Sequence, residues 1–234
     1  MNYTANDNLA VMKAAKNYNQ FLVDSILSVT QKRDTKNILD FGCNDGFFME
    51  CVTKDRPSLQ AFGVEIDEVS LEKCKQKGLQ VTTDLAQLDT RFDVIYSLNT
   101  LEHIEKDSDI LKLMHDKLSD GGYLYIYVPA LMFLFSSMDK KVGHFRRYTQ
   151  KELARKLSEC GFEVERAEYC DSLGVLATLL YIVKDKLGKN NQGNINKNLL
   201  VLYDRIFPLS RLLDKVLFKH FLGKNVFAIA RKKQ

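Results

Sequence analysis

Two glycines and a set of acids, each placed just after a short apolar run, are the residues best suited to chemistry in this chain. The run Asn-Ile-Leu-Asp-Phe (37–41) leads into Asp40-Phe-Gly42-Cys43-Asn44-Asp45-Gly46. Glycines there let the backbone turn tightly and come close to a ligand. A second run ends in Gly63-Val-Glu65-Ile66-Asp67, nineteen residues beyond Gly46. A carboxylate at that place can accept both hydroxyls of a ribose; as a surface acid it would only favour the start of the next helix. Asp84, in Val81-Thr-Thr-Asp84-Leu85, can accept from the exocyclic amine of an adenine or stand as an ordinary loop acid. The crowding of Asp40, Asp45 and Asp67 suits a cationic ligand better than a pyrophosphate. Phe47 also stands where the last glycine of a dinucleotide-binding G-x-G-x-x-G would fall.

The candidate bases are His103 and His144, since a near-neutral pKa fits imidazole for proton removal. His103 follows Glu102 after the run Phe92–Ser97; its other reading is a cap on the next helix. His144 lies in Gly143-His144-Phe-Arg146-Arg147-Tyr148-Thr149. Arg146 and Arg147, with Tyr148, could hold a carboxylate or phosphate of an acceptor, because guanidinium groups fork onto such anions. Alternatively the arginines pair with surface acids and His144 only pins its loop.

These residues need elements to position them. Apolar runs at 37–41, 59–64, from Val81, at 92–97 and at 123–128 alternate with helical patterns at 47–53, 68–77 and 107–118. Gly78 is placed to stop the second helix, and Gly121-Gly122 to turn the chain into the fifth strand. That alternation predicts right-handed crossovers and a parallel sheet covered on both faces. Beyond Pro129 the sequence predicts a loop over 130–148. A helix over 149–160 follows, with Thr149 and Glu152 forming a capping box, and then a strand over 162–169. An apolar helix over 173–187, a Gly/Asn-rich loop at 188–196, a helix over 197–220 interrupted near Pro208, and a strand over 225–231 complete the chain. In such a sheet, ligands bind beyond the carboxyl ends of the strands, where all the residues above fall.

DFGCNDG, GVEID, TTDL, FDVIYSLNTLEHI and LSDGGYLYIYVPA, in this order, resemble class I S-adenosylmethionine-dependent methyltransferases. The resemblance runs from Asn37 to Tyr169 and includes the final NVFAIAR. It implies a Rossmann-like, doubly wound, mostly parallel seven-stranded sheet with an antiparallel last strand. The chain is then one domain over 1–234, with an N-terminal helix at 8–30 and a helical insertion at 173–220 before the last strand. It implies that Asp40, Gly42, Cys43, Asn44 and Gly46 line the methionine part of S-adenosylmethionine. Glu65 would hold the ribose, Ile66 one adenine face, and Asp84 and Leu85 the adenine edge. Ser97, Leu98 and Asn99 would flank the sulfonium, with Tyr18 closing the pocket. Asn44 replaces a glycine usual in the family; Asn tolerates left-handed backbone better than other side chains do. LNTLEHIEKD and VPALMFLFSSMDKKVGHFRRYT, with Asn17-Tyr-Asn-Gln-Phe21, are similar to a bacterial subgroup often encoded among genes for surface glycans and lipids. The acids being taken by cofactor roles, and no His cluster having ligand spacing, no metal is expected.

The expected function is methyl transfer to oxygen or nitrogen of a small, lipid-linked or glycan-linked acceptor, leaving S-adenosylhomocysteine. The alternatives are a non-catalytic subunit of the same fold, or a methyltransferase acting on RNA or protein. Nucleic acid is disfavoured, because the chain's aromatics near its basic end fall at helical spacing rather than as stacking platforms. The 234 residues, with 45% hydrophobic and 27% charged, exclude a fibrous or mostly disordered chain. Five cysteines without a C-x-x-C pair, and a polar N-terminus, fit a reducing cytosol. The net charge of +4 is uneven: residues 184–234 hold twelve Lys or Arg against three Asp or Glu. That end is expected to face an anionic surface, such as the inner face of a membrane, or to form a homodimer or solvated face.

Overall fold

The alternation of apolar runs with amphipathic segments is resolved into a seven-stranded sheet of order β3-β2-β1-β4-β5-β7-β6. The computed structural model describes residues 11–187 and 196–233. Its strands are β1 (Asn37–Phe41), β2 (Gln60–Val64), β3 (Gln80–Thr82), β4 (Phe92–Leu98), β5 (Leu118–Pro129), β6 (Phe162–Cys170) and β7 (Asn225–Lys232). β1 to β5 pair in parallel, while β7 runs antiparallel between β5 and β6, as the sequence predicts. The helices are α1 (Lys16–Thr30), α2 (Phe47–Asp55), α3 (Glu68–Gln76), α4 (Asp107–Lys117), α5 (Ser137–Val142), α6 (Gln150–Glu159), α7 (Ser172–Lys186) and α8 (Lys197–Leu213).

Successive strand residues point to opposite faces, and β5 shows what this does. Tyr123, Tyr125 and Tyr127 enter one core layer with Leu22, Ile26 and Val29 of α1. Leu124, Ile126 and Val128 enter the other, with Leu111 of α4 and Leu153 and Leu157 of α6. Both faces of the sheet are covered, so the polar work is left to the strand ends.

Three local expectations are corrected. Gly121-Gly122 does not precede β5 but lies inside it: the strand starts at Leu118, and the β4 pairing jumps from Phe92↔Leu118 to Val94↔Tyr123. Gly121 has φ 66°, and a Cβ on Gly122 would come within 2.8 Å of the Ser119 carbonyl, so the pair forms a bulge. The expected loop at 130–148 contains α5, started by a capping box of Ser136 and Asp139. The last long helix is not broken at Pro208; α8 runs to Leu213 and then widens into a π turn over Asp214–Phe218. Proline removes the hydrogen bond to residue i−4, here Asp204. The freed Asp204 carbonyl instead accepts the Asn17 side-chain amide at 2.9 Å.

The capping box predicted at Thr149 and Glu152 is present. α1 is shorter than the predicted 8–30, with a helical turn at 11–14 before it; residues 8–10 lie outside the described residues, as does the Gly/Asn-rich loop at 188–195 with Lys189. Among the described residues, no helix is long and apolar enough to cross a membrane.

Candidate functional site

The loop between β1 and α2 is shaped by three left-handed residues, Gly42 (φ 83°), Asn44 (φ 47°) and Gly46 (φ 77°). Glycine fits the two positions without displacing a neighbour: a Cβ on Gly42 would meet Thr100 Oγ1 at 2.2 Å, and one on Gly46 the Leu79 side chain at 2.1 Å. Asn44 holds the same left-handed backbone without being glycine. The Gly42 and Cys43 amides both donate to the Val64 carbonyl, at 2.8 and 3.1 Å, which ties the loop to the end of β2.

Glu65, at that end, organises the site. Its Oε1 accepts from the Ile66 and Asp67 amides, and its Oε2 from the Asn44 amide, all at 2.8 Å. A carboxylate has about four acceptor positions, so this one is fixed in place with about one left for a ligand. Ile66 beside it is 67% exposed, an apolar surface free for a flat ring. Asp40 is 2% exposed, and burial pushes its carboxyl up to about 8, with the Glu65 charge adding to the rise. The acid-rich tip is smaller than the sequence suggests. Asp45 pairs with Lys13, and Asp67 caps α3 by accepting the Ser70 amide at 2.9 Å.

Asp84 accepts the Ala86 amide at 2.9 Å and starts a short turn at Leu85–Gln87. The Leu85 side chain lies in the core, so only its backbone is placed to meet a ligand. Ser97 is also buried, its hydroxyl donating to the Phe41 carbonyl at 2.9 Å and clamping β4 to β1. Leu98 is half-buried; Asn99 is exposed and left-handed (φ 50°), its amide donating to the Tyr127 carbonyl at 2.7 Å. Tyr18 reaches this end of the sheet from α1, its ring edge-on to Tyr127 and Phe207. Burial pushes its phenol well above the usual range.

A second group lies after β4. Glu102 and His103 sit on the turn Leu101–His103, and the Glu102 carbonyl accepts the Phe145 amide at 2.8 Å, which brings His144 alongside. The two imidazole rings are 4.5 Å apart, edge to face. His144 Nδ1 lies 2.9 Å from Asp139 Oδ1, and its Nε2 lies 3.8 Å from Glu102 Oε1. Burial lowers His103 to about 4, with His144 adding to the effect. Burial raises Glu102 to about 8. Burial opposes ionisation of Asp139 too, but its contacts to His144 and Arg147 hold it well below the usual carboxylate range.

Arg146, Arg147 and Tyr148, expected to hold an acceptor, have polar partners within the protein itself. Arg147 is 7% exposed and grips Asp139 through Nε at 2.9 Å and Nη2 at 3.1 Å. Arg146 pairs with Asp107 at 2.8 Å and donates to the Ile104 and Glu105 carbonyls. Tyr148 is fully buried and donates to Asp107 at 2.7 Å. The pairing of the two arginines with acids is present, with Asp107 and Asp139 as partners, both buried rather than on the surface. Sequence reasoning missed Asp139, Asp107, Thr100 and Glu102. The first is signalled only by the Ser136-x-x-Asp139 capping pattern. The histidine cluster was invisible because Glu102 and His103 lie some forty residues from His144 in sequence.

A family model described as a methyltransferase domain matches residues 14–167. A ubiquinone biosynthesis O-methyltransferase of Pseudomonas aeruginosa is 23% identical over 154 residues, covering 56% of this chain and 66% of that one. The chain spans between 25% and 66% of the length of the curated relatives it matches first. Among solved structures, an S-adenosylmethionine-dependent methyltransferase from Archaeoglobus fulgidus has a TM-score of 0.60 at 20% identity, covering 92% of this chain and 94% of that one. A phosphoethanolamine N-methyltransferase 2 of Haemonchus contortus, in complex with phosphomonomethylethanolamine and S-adenosylhomocysteine, has a TM-score of 0.58 at 18% identity, covering 90% and 53%. At these identities the structures attest the fold.

Proposed function

Because the chain belongs to the methyltransferase-domain family, we propose that it is an S-adenosylmethionine-dependent methyltransferase acting on a hydroxyl or amine of a small or lipid-linked acceptor. The observation that carries this reading is Glu65, locked by three amides at the tip of β2 beside the exposed Ile66. That pairing of a fixed acceptor with an open apolar face fits a ribose and its base. The loop Gly42–Gly46 offers backbone atoms without side chains in the way, and buried Asp40 favours a cationic ligand by giving its carboxyl a partner.

S-adenosylmethionine supplies a methyl group already activated by its sulfonium. What remains for the protein is alignment, which can account for most of the rate in such a transfer. In this reading Gly42, Cys43, Asn44 and Gly46 hold the methionine part, Glu65 a ribose hydroxyl, Ile66 the adenine face, and Asp84 and the Leu85 backbone its edge. Ser97 keeps the end of β4 in register, so that Leu98 and Asn99 flank the reacting end; Tyr18 closes it. His103 and His144 face the acceptor. Arg146, Arg147 and Tyr148 hold their loop in place through Asp107 and Asp139.

The relatives named for ubiquinone O-methylation support oxygen as the acceptor atom. Exposed Met132, Phe133 and Phe145, in the two segments that flank α5, support an acceptor with an apolar part. The insertion adds a place of work. α7 turns Leu176, Leu179, Leu180 and Val183 to solvent, continued by Leu187 just after it, and α8 turns out Leu199, Leu202, Ile206, Leu209 and Leu212, each one stripe at helical spacing. Their inward faces bury Val175 and Phe207 together with the polar Ser172, Asp204 and Ser210. With exposed Lys184, Lys186, Lys197, Arg205 and Lys215 along them, these outward stripes fit an anionic bilayer. The deciding experiment for the activity is calorimetric binding of S-adenosylmethionine followed by turnover on phenolic and lipid-linked acceptors. NAD binding without S-adenosylmethionine binding would overturn the reading.

A further inference from the structure

We infer that Glu102, His103 and His144 form a binding site for a divalent transition cation of the Zn2+, Mn2+ or Co2+ class. One ligand atom of each residue lies within 4.8 Å of the others. The independent sign is Glu102. It is 0% exposed, and neither carboxylate oxygen has a hydrogen-bond partner among the described residues. Burying a carboxyl without partners is strongly unfavourable. Asp107, Asp139, Asp171, Asp204 and Asp214 are comparably buried, and each accepts hydrogen bonds.

The neighbours of the cluster complete the argument. Asp139, gripped by Arg147, takes the Nδ1 side of His144 at 2.9 Å. That contact leaves the other ring nitrogen, Nε2, facing Glu102 Oε1 at 3.8 Å. A carboxylate behind an imidazole is the usual support of a metal-bound histidine. Metal–ligand distances of about 2.0–2.2 Å place the ligand atoms of a tetrahedral site about 3.4 Å apart, so side chains now within 4.8 Å of one another would have to draw together, by up to about 1.4 Å. Two imidazoles and one carboxylate favour transition cations over Mg2+ or Ca2+, and they leave coordination positions open. An acceptor hydroxyl bound in an open position would release its proton to solvent more readily, as metal-bound water does. That consequence rests on the methyl-transfer reading; the cation site itself does not.

The test is titration of the full chain, stripped by chelator, with Co2+ followed by competition with Zn2+. One equivalent of Co2+ should produce a visible d–d spectrum that Zn2+ abolishes. Glu102→Gln and His144→Asn should each weaken binding at least tenfold. In the unsubstituted protein, Zn2+ should protect His103 and His144 from diethylpyrocarbonate, read by mass spectrometry; this holds even if a variant misfolds. Absence of saturable Co2+ binding, equal binding by both folded variants, or no protection of the two histidines would overturn the site. S-adenosylmethionine affinity measured on the same samples separates the two readings. Cofactor binding without metal binding sinks the cation site alone, whereas metal binding without cofactor binding sinks the methyltransferase reading alone.

Discussion

Glu65 and Asp40 carry the sharpest predictions, because each is a buried or fixed acid with one physical job. Glu65→Ala should weaken S-adenosylmethionine binding by roughly 1.5–3 kcal/mol, the range for hydrogen bonds to a charged group. The same substitution frees three amides of the loop, so calorimetry is paired with thermal unfolding of the ligand-free protein. Unchanged affinity would refute the ribose role. Asp40 is raised by burial from its ordinary 3.8 to about 8. Between those values the folded protein keeps a proton that the unfolded chain has released, so this contribution to stability is full below about pH 4. It is lost as pH rises through about 8. Asp40→Asn cannot lose that proton. Denaturant unfolding should therefore show the wild type losing stability relative to the variant from about pH 4 to about pH 8; parallel curves would contradict it. Both acids were legible in the sequence as acids at a strand end, Glu65 just after β2 and Asp40 one residue before the end of β1. Their fixing was not: the three amides on Glu65 and the depth of Asp40 depend on a loop whose left-handed Asn44 the sequence could only permit.

At the scale of elements, the joint between α1 and α8 is the one no local pattern announces. α1 has no side-chain cap of its own at Ala15. Its first turn is capped by Asp204 of α8, whose carboxylate accepts the Asn17 and Tyr18 amides at 3.0 and 2.9 Å. Pro208 supplies the reciprocal contact by freeing the Asp204 carbonyl for Asn17. A cap is worth about 0.5–2 kcal/mol, and here it also fixes Tyr18. Asp204→Ala should thus lower unfolding stability by about 2 kcal/mol and weaken cofactor binding. Pro208→Ala should restore an ordinary helical bond and leave stability within about 1 kcal/mol. Equal, small effects from both would mean that α1 is held by its apolar face alone. The sequence located the strands and most helices, because two-residue and helical periodicities are local. It misplaced the break at Pro208 because the group that rescues the helix lies about 190 residues away. It read the glycine pair at 121–122 as a turn because a bulge needs the partner strand to be recognised.

For the whole molecule, the question is why two helices inserted before the last strand show so many leucines to water, while their buried faces mix Val175 and Phe207 with an aspartate and two serines. A helix of a water-exposed fold turns polar residues outward, so the outward leucine stripes of α7 and α8 call for an apolar surface to cover them. The charge distribution argues for lipid. Residues 184–234 are strongly basic while the rest of the chain is net acidic, and Lys184, Lys186, Lys197, Arg205 and Lys215 are exposed on these two helices and the turn after them. Arg211 and Lys219 are already spent on Asp214 and Glu168, so fewer cations are available than the bare sequence suggests. Each remaining one near an anionic bilayer contributes about 1 kcal/mol, and the contribution fades as salt shortens the Debye length below about 10 Å. Burying the stripes adds about 25 cal/mol per Å2 irrespective of charge. Vesicles containing phosphatidylserine should therefore pellet the protein at low salt, and neutral vesicles should do so much less. High salt should release part of the bound protein and leave an apolar remainder. Replacing Lys184, Lys186 and Arg205 by Glu should abolish the difference between anionic and neutral vesicles without changing S-adenosylmethionine affinity. If no pelleting occurs and sedimentation velocity instead shows a dimer that Leu180→Glu with Leu209→Glu dissociates, the stripes face a second copy of the chain and the membrane reading falls.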